Sequence, residues 1–400
     1  MSNARTPDSV TERLSLALQE RSGRVREALG SPVRTTRMAV VVGRLLGLGF
    51  AICFVTGVYS HLLQDPLPWL PLPVGPAYLY ASTQGTHVVV GSALIPLVLA
   101  KLWIVFPRLF TWPPVRSLPH LLERVSVAVL VSTALMEPVT GLLNSLQWYP
   151  WGFSFRRTHF ALAWVLIGAL VVHIAVHLPA IARAWRADAA DESGTKKTPE
   201  ERADISRRAF LWGVGGSGAL LGTAAVAHAT TPIGPFSLKS PRSRIGSPQD
   251  LPVNRSARQA DVTALALDPG WRLHLAAGDA AVALTLADLD ALPQRTEVLP
   301  IAGVEGWTVD ATWQGVRLRD LLALVDAPAD ATIRFRSMQR RGAFRETTMP
   351  PAYARDPRTL VALRVNGEPL DVDHGYPARV IAPGRPGVLQ TKWLESIEVA

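Results

Sequence analysis

The sequence predicts a two-part chain: a membrane α-helical bundle of five transmembrane helices, then an α+β domain. Three observations predict it. Long uncharged apolar runs, each near the roughly 20 residues a bilayer requires, fill the first half of the chain, and none of that length occurs in the second. The second half instead alternates short apolar runs with Gly, Pro and Asp, the texture of short strands and helices. Arg-rich segments flank the apolar runs on alternating sides, as the positive-inside rule requires.

Composition supports the division. Hydrophobic residues make up 48% of the 400 residues although 18% are charged, and 400 residues exceed one ordinary domain. The net charge of +9 invites a nucleic-acid reading, but no stripe of Lys and Arg interleaved with aromatics accompanies it, so nucleic acid is not expected as a partner. Cys53 is the single cysteine. That excludes an intramolecular disulfide, a Cys-ligated iron–sulfur cluster and Cys-type zinc sites, and leaves Cys53 as a small packing residue.

The first element is a polar tail, 1–37, with Arg21, Arg24, Arg26, Arg34 and Arg37, too polar for a cleaved signal and expected in the cytoplasm. Spans are expected over 38–62, 83–106, 121–143 and 158–181, which together form a four-helix domain over 38–181. A loop over 182–208 and a fifth span over 209–229 follow. The tail, the 107–120 loop (Arg108, Arg116) and the 182–208 loop (Arg183, Arg186, Lys196, Lys197) carry the positive charge, and the 63–82 loop carries none. The N-terminus is therefore expected inside, and everything after the fifth span outside, of a multi-pass protein of the cell membrane. Trp69, Tyr78, Tyr80, Trp148, Tyr149 and Trp151 would mark the outer interface.

Histidine is rare within membranes and marks function there. His61, His87 and His159 fall near the outer face, and His173 and His177 near the inner. His159 and His173 are separated by 14 residues, roughly 21 Å along a helix and about 40° off one face, a spacing suited to two stacked haems. Imidazoles on facing helices are a standard axial ligand set. One haem b is expected, on His159 with His87 or His61. A second on His173 lacks an evident partner, because the second helix offers Lys101 there. Interfacial histidines bonded to lipid headgroups are the alternative. Glu137, before Pro138, reads equally as a proton relay or as a kink residue. This half resembles the four-helix b-type cytochromes of formate dehydrogenases and hydrogenases, a resemblance that implies exchange of electrons with the quinone pool.

Ser206-Arg207-Arg208-Ala209-Phe210-Leu211 matches the twin-arginine export pattern, which implies a domain that acquires its cofactor before crossing. Ala227-His228-Ala229 resembles a cleavage site, although retention as an anchor is the favoured reading. The run Gly213-Val214-Gly215-Gly216-Ser217-Gly218 is a formal G-x-G-x-x-G without the surrounding strand–helix–strand unit, and close helix packing explains it better. No internal repeat is evident.

A Pro-, Ser- and Arg-rich linker over 230–253 leads to the last domain, 254–400. Strands are expected over 273–275, 298–301, 332–337, 360–365 and 379–382, and helices over 284–291 and 318–324. The blocks Leu284-Thr285-Leu286-Ala287-Asp288-Leu289, Val304-Glu305-Gly306-Trp307, Trp313-Gln314-Gly315-Val316-Arg317-Leu318, Val365-Asn366-Gly367-Glu368-Pro369-Leu370 and His374-Gly375-Tyr376-Pro377-Ala378-Arg379-Val380 resemble, in order, the molybdopterin domain of the sulfite oxidase family. The whole chain is similar to membrane molybdopterin-dependent oxidoreductases of the actinobacterial type. The resemblance implies that Asn254, His374, Arg379, Gln390 and Lys392 hold a molybdenum–molybdopterin cofactor. It also implies a thiolate metal ligand immediately before Val304, where this sequence has Gly303. Glycine is expected to leave an open coordination position or a water-filled gap, which puts ordinary oxygen-atom transfer in doubt. Two expectations follow. One is an oxidoreductase that couples a small oxo-anion or sulfoxide-like substrate to the quinone pool through haem b. The other is an inactive pterin- or anion-binding or docking domain tethered to the cytochrome.

Overall fold

The computed structural model describes residues 10–31, 33–67, 69–146, 148–191, 200–226 and 246–400. The expected cleavage site at Ala227-His228-Ala229 and most of the linker lie outside the described residues. The helices are α1 (Val10–Ala28), α2 (Thr36–Gln64), α3 (Leu79–Val105), α4 (Leu118–Leu146), α5 (Phe155–Asp191) and α6 (Glu200–Val226). Among the described residues, four segments are long and apolar enough to cross a membrane: Thr36–Gln64, Leu79–Arg108, Leu118–Leu146 and Phe155–Leu178. The expected fifth span falls on α6, which is a helix but is not one of these four.

The chain divides into two compact units, residues 1–54 with 90–222, and residues 55–89 with 223–400. In the first unit Val42, Leu46, Phe50, Leu94, Val98, Ile104 and Leu166 form the core. Edge-on packing of Phe54 and Trp164 at 4.8 Å joins α2 to α5, and stacking of Trp103 and Phe210 at 5.5 Å joins α3 to α6. Lys101 does not face empty space; its Nζ donates to the Ala39 carbonyl at 2.5 Å. Outward-facing Leu45, Leu99, Trp164, Val171 and Val172 are exposed. So much exposed apolar surface fits helices solvated by lipid rather than by water.

The second unit contains two sheets. In the first the order is β2-β1-β10-β5-β6; in the second it is β3-β4-β7-β8, with β9 also paired to β7. The strands are β1 (Leu273–Ala277), β2 (Ala280–Leu284), β3 (Gln294–Ala302), β4 (Thr308–Arg317), β5 (Ile333–Ser337), β6 (Glu346–Met349), β7 (Leu360–Val365), β8 (Glu368–Pro369), β9 (Arg379–Ile381) and β10 (Leu394–Val399). β1 and β10 are parallel, with His274 opposite Ser396; the other pairings are antiparallel. Short helices α7 (Ala257–Ala260), α8 (Thr263–Ala266), α9 (Leu286–Ala291), α10 (Leu318–Ala323) and α11 (Pro351–Ala354) connect them. Central β7 is buried along nearly its whole length, which is why it reads as an unbroken apolar run. Helix α9 starts at a capping box: Thr285 Oγ1 accepts from Asp288 N at 2.9 Å, and the Asp288 carboxylate accepts from Thr285 N at 2.8 Å.

Residues 55–89 are part of this unit's core. Leu63 and Tyr80, 7% and 1% exposed, pack among Leu273, Leu318, Phe335 and Trp393. Tyr78 donates to Asp310 Oδ1 at 2.9 Å, and Tyr353 donates to the Pro73 carbonyl at 3.3 Å. The 63–82 loop therefore belongs to the C-terminal fold and is more than a connection between two spans.

Candidate cofactor site

The 374–393 segment builds a buried basic cradle. β9 carries Arg379, 3% exposed. Its Nη1 donates to the His374 carbonyl at 3.0 Å and its Nη2 to the Gln390 carbonyl at 3.4 Å. The guanidinium lies 5.0 Å from the Trp313 ring centroid, and Nε is buried without a partner. Lys392 Nζ donates to the carbonyls of Arg255 and Asp373 at 2.6 and 2.8 Å. Gly375 at φ +107° lets the two cations approach one another: a Cβ there would come 3.0 Å from the Lys392 Cβ and 3.2 Å from the Arg379 Cβ.

Burial controls the charge of these groups. It lowers Arg379 to about 9. Burial, then the nearby Arg379, lowers Lys392 to about 7. His374 falls to about 4, first from burial and then from Arg379 and Lys392, although its bond to Pro248 opposes the shift. His374 Nε2 donates to the Pro248 carbonyl at 2.7 Å, so this histidine is neutral and oriented at pH 7.

Sequence reasoning missed Arg385. It is 4% exposed, and burial lowers it to about 10, with Tyr353 opposing. Its Nη2 donates to the Thr348 carbonyl at 2.8 Å, whereas Nε and Nη1 are buried without partners. Gln390 joins this arginine to the cradle, because its Nε2 donates to the Arg385 carbonyl at 3.0 Å while its own carbonyl accepts from Arg379. The available signal was a cation inside the loop Pro383-Gly384-Arg385-Pro386-Gly387, a backbone shaped for close approach. Oε1 of Gln390, Oε1 of Gln339 and Oδ1 of Asn254 are likewise buried and unpartnered. Asn254 immediately precedes Arg255, whose carbonyl holds Lys392.

Two buried guanidiniums with orphaned N–H groups are costly alone, and no carboxylate contributes to the shift of either. Orphaned donors beside orphaned amide acceptors suit an anionic ligand with a heterocyclic edge, which describes a pterin phosphate. The cofactor residues expected from the sequence are therefore brought together, and they fit that group.

The metal-ligand position does not fit a side-chain ligand. Gly303 opens a tight turn in which Gly303 N donates to the Trp307 carbonyl at 2.9 Å and Gly306 N to the Gly303 carbonyl at 3.1 Å. The turn is seated on α3 by Gln84 Nε2, which donates to the Val304 carbonyl at 2.5 Å. A Cβ on Gly303 would collide with the Trp307 indole and stand 2.5 Å from Glu305 Oε2. Glu305 is 1% exposed and accepts from Trp307 Nε1 at 3.1 Å. The open position or water-filled gap expected at Gly303 is thus corrected: an indole and a carboxylate fill the volume. The turn borders the cradle, because a Cβ on Gly387 would come 2.9 Å from the Ala302 carbonyl oxygen.

The histidines fall in different surroundings. His61 lies 3.8 Å from Asp65 and His87 lies against Thr56, both in the C-terminal unit. In the other unit His159 lies against Thr140 and Glu137, and His173 stacks edge-on with His177 at 4.5 Å.

Comparison with known proteins decides the nature of the last domain. Residues 260–400 match the family model described as the oxidoreductase molybdopterin binding domain, and mouse (Mus musculus) mitochondrial sulfite oxidase is 33% identical over 162 residues. The C-terminal part is a sulfite oxidase-like molybdopterin-binding domain. The mouse match covers 33% of this chain and 30% of the enzyme. A second relative, the putative protein-methionine-sulfoxide reductase subunit YedZ1 of Azospira oryzae, is 31% identical over 118 residues, covering 29% of this chain and 44% of that protein. The sulfane dehydrogenase SoxCD structure from Paracoccus pantotrophus aligns at 23% identity and a TM-score of 0.29, covering 34% of this chain and 40% of its own. The chain thus spans less than half the length of each of these relatives. In the molybdopterin-binding domain, the cradle of Arg379, Arg385, Gln390 and Lys392 holds the groups that fit the cofactor.

Proposed function

We propose that the protein is a membrane-bound oxidoreductase in which the molybdopterin-binding domain exchanges electrons with the quinone pool through haem b. The single observation that carries the reading is the buried cradle, whose cations have no anionic partner among the described residues other than the attraction of Asp373 for Lys392. An anion that completes such a cradle offsets the cost of burying its cations. Arg379 and Lys392 would hold the phosphate end, with Arg385, Gln390 and Asn254 meeting the heterocycle. When bound, the molybdenum–pterin group supplies two-electron redox chemistry toward a small oxo substrate. The names of the relatives, a sulfite oxidase and a methionine-sulfoxide reductase subunit, point to an oxo-anion or a sulfoxide. Packing of residues 55–89 into the domain supports a common side for the 63–82 loop and the cofactor site, as the loop charges imply. The apolar part of α6, which follows the Ser206-Arg207-Arg208 signal within the same helix, serves as the fifth span and anchors the domain in the cell membrane.

A second reading rests on Gly303. With Trp307 and Glu305 filling the ligand position, the domain would hold pterin or another anion without a thiolate-bound metal and without turnover. Molybdenum, pterin and haem, quantified together in detergent-purified full-length protein, separate the readings. Pterin with near-stoichiometric molybdenum and haem supports the oxidoreductase. Pterin with haem but no molybdenum supports the second reading. Absence of pterin refutes both.

A further inference from the structure

The 303–307 turn lacks a thiolate, yet it carries another donor atom in nearly the same place. A Cβ on Gly303 would stand 2.5 Å from Glu305 Oε2, so a carboxylate oxygen lies close to where a side chain at position 303 would begin. Glu305 is 1% exposed. Carboxylates are buried this deeply where cations or metals compensate them. Trp307, itself buried, donates from Nε1 to Oε2 at 3.1 Å. A carboxylate offers about four lone-pair sites on its two oxygens, so one indole bond orients the group without exhausting it.

The turn that bears Glu305 is braced on two sides, within one compact unit. On one side stand Gln84 and Val88, one helical turn apart on α3. Gln84 Nε2 donates to the Val304 carbonyl, and Gly306, at φ +90°, approaches so closely that a Cβ there would come 2.9 Å from the Val88 Cβ. On the other side is the loop that carries Arg385, where a Cβ on Gly387 would come 2.9 Å from the Ala302 carbonyl oxygen. Glu305 is therefore fixed on a rigid turn that borders the cradle. Glycine at 303 has a purpose in this arrangement, because any Cβ there would displace the carboxylate and the indole that orients it.

We infer that Glu305 supplies, through a carboxylate oxygen, the protein ligand to molybdenum that Gly303 cannot supply, with Trp307 as its positioning residue. The inference rests on the oxidoreductase reading above and deepens it. A metal carried on a pterin brings its other donors with the cofactor, so one protein side chain suffices. A cluster of three His, Cys, Asp or Glu residues is not required, and none occurs among the described residues. Oxygen is a harder donor than a thiolate and suits molybdenum in its high oxidation states. The exchange alters the metal's protein ligand and leaves the pterin contacts of Arg379, Arg385, Gln390 and Lys392 as they are.

The test uses full-length protein purified in detergent from cells supplied with molybdate. The readouts are the molybdenum-to-pterin ratio and X-ray absorption at the molybdenum edge, with gel filtration and thermal unfolding as folding controls. Glu305→Gln, nearly equal in size, is expected to keep pterin and lose most of its molybdenum. Trp307→Phe keeps the carboxylate but removes its donor, and should weaken metal retention roughly 10–100-fold at unchanged pterin content. Glu305→Cys is expected to hold molybdenum and to add one sulfur to the metal's first shell. A wild-type molybdenum-to-pterin ratio in Glu305→Gln overturns the assignment. If Glu305→Gln does not fold, Glu305→Cys decides: molybdenum bound with no added sulfur overturns the assignment equally. Wild-type protein that holds pterin without molybdenum refutes the oxidoreductase reading and this inference with it, whereas molybdenum indifferent to both Glu305 variants refutes the ligand assignment alone.

Discussion

Replacing Arg379 with Met should affect the empty and the loaded domain in opposite directions. Burial lowers Arg379 well below its ordinary value, to about 9. At about 1.4 kcal/mol per unit, the folded domain then carries roughly 5 kcal/mol of uncompensated desolvation in its charged form. The sign follows from linkage: a base with a depressed folded pKa costs stability in full below that pKa, and the cost disappears as pH rises toward the unfolded value. Methionine removes that cost and keeps much of the volume. Against the gain stands the loss of donors to the His374 and Gln390 carbonyls, about 1–3 kcal/mol each if left unsatisfied. The net effect on cofactor-free protein therefore falls between roughly 1 kcal/mol of destabilisation and about 3 kcal/mol of stabilisation. Truncating one partner of a compensated buried pair would instead cost about 3–5 kcal/mol. Pterin retention should fall sharply in the same variant, because the anion loses a buried counter-charge. Thermal unfolding of cofactor-free and loaded protein, with pterin assayed after gel filtration, checks both arms. A cofactor-free variant that is less stable by several kcal/mol, or one that retains pterin as wild type does, would show that Arg379 is a structural residue and not a vacant anion ligand.

Three further outcomes follow from the same geometry. Lys392, lowered to about 7 by burial and then by Arg379, should hold an anion less well as pH rises through that value, while the empty domain gains stability between about 7 and its ordinary value near 10.4; pterin release measured from pH 6 to 9 should show the trend, and Lys392→Met should flatten it. Gly303→Cys should destabilise the protein by about 1–3 kcal/mol, because the new side chain must displace the Trp307 indole; denaturant unfolding checks this, and an unchanged midpoint would mean that the ligand position is open. Leu63→Ala should cost about 2–5 kcal/mol in unfolding of the C-terminal domain, measured by proteolysis; no effect would place residue 63 outside that core.

Much of the architecture was legible because its causes are local. The strand expected over 360–365 coincides with β7 (Leu360–Val365), where burial on both faces leaves an unbroken apolar run. Strand β4 was missed, although it holds Trp313 in the core. Its Val309, Ala311 and Trp313 do alternate with polar Asp310, Thr312 and Gln314, and β3 pairs with it across only the 303–307 turn, whereas its other partner, β7, is distant in sequence. Arg379, Gln390 and Lys392 were found through motif position. Arg385 was not, because a cation in a Pro-Gly loop ordinarily faces water, and only burial beside Tyr353 gives it another meaning.

The sequence alone therefore determined what depends on run length, charge and composition: the apolar helices, the α+β tail and the absence of a cysteine ligand outside the apolar runs. Tertiary structure decided whatever depends on which surfaces meet. It placed residues 55–89 in the core of the C-terminal unit, closed the space above Gly303 with Trp307 and Glu305, and set Thr56 against His87 and Thr140 against His159. The physical reason is that hydropathy is summed along the chain, whereas a buried guanidinium, a filled ligand position and a held imidazole exist only where segments far apart in sequence exclude water together.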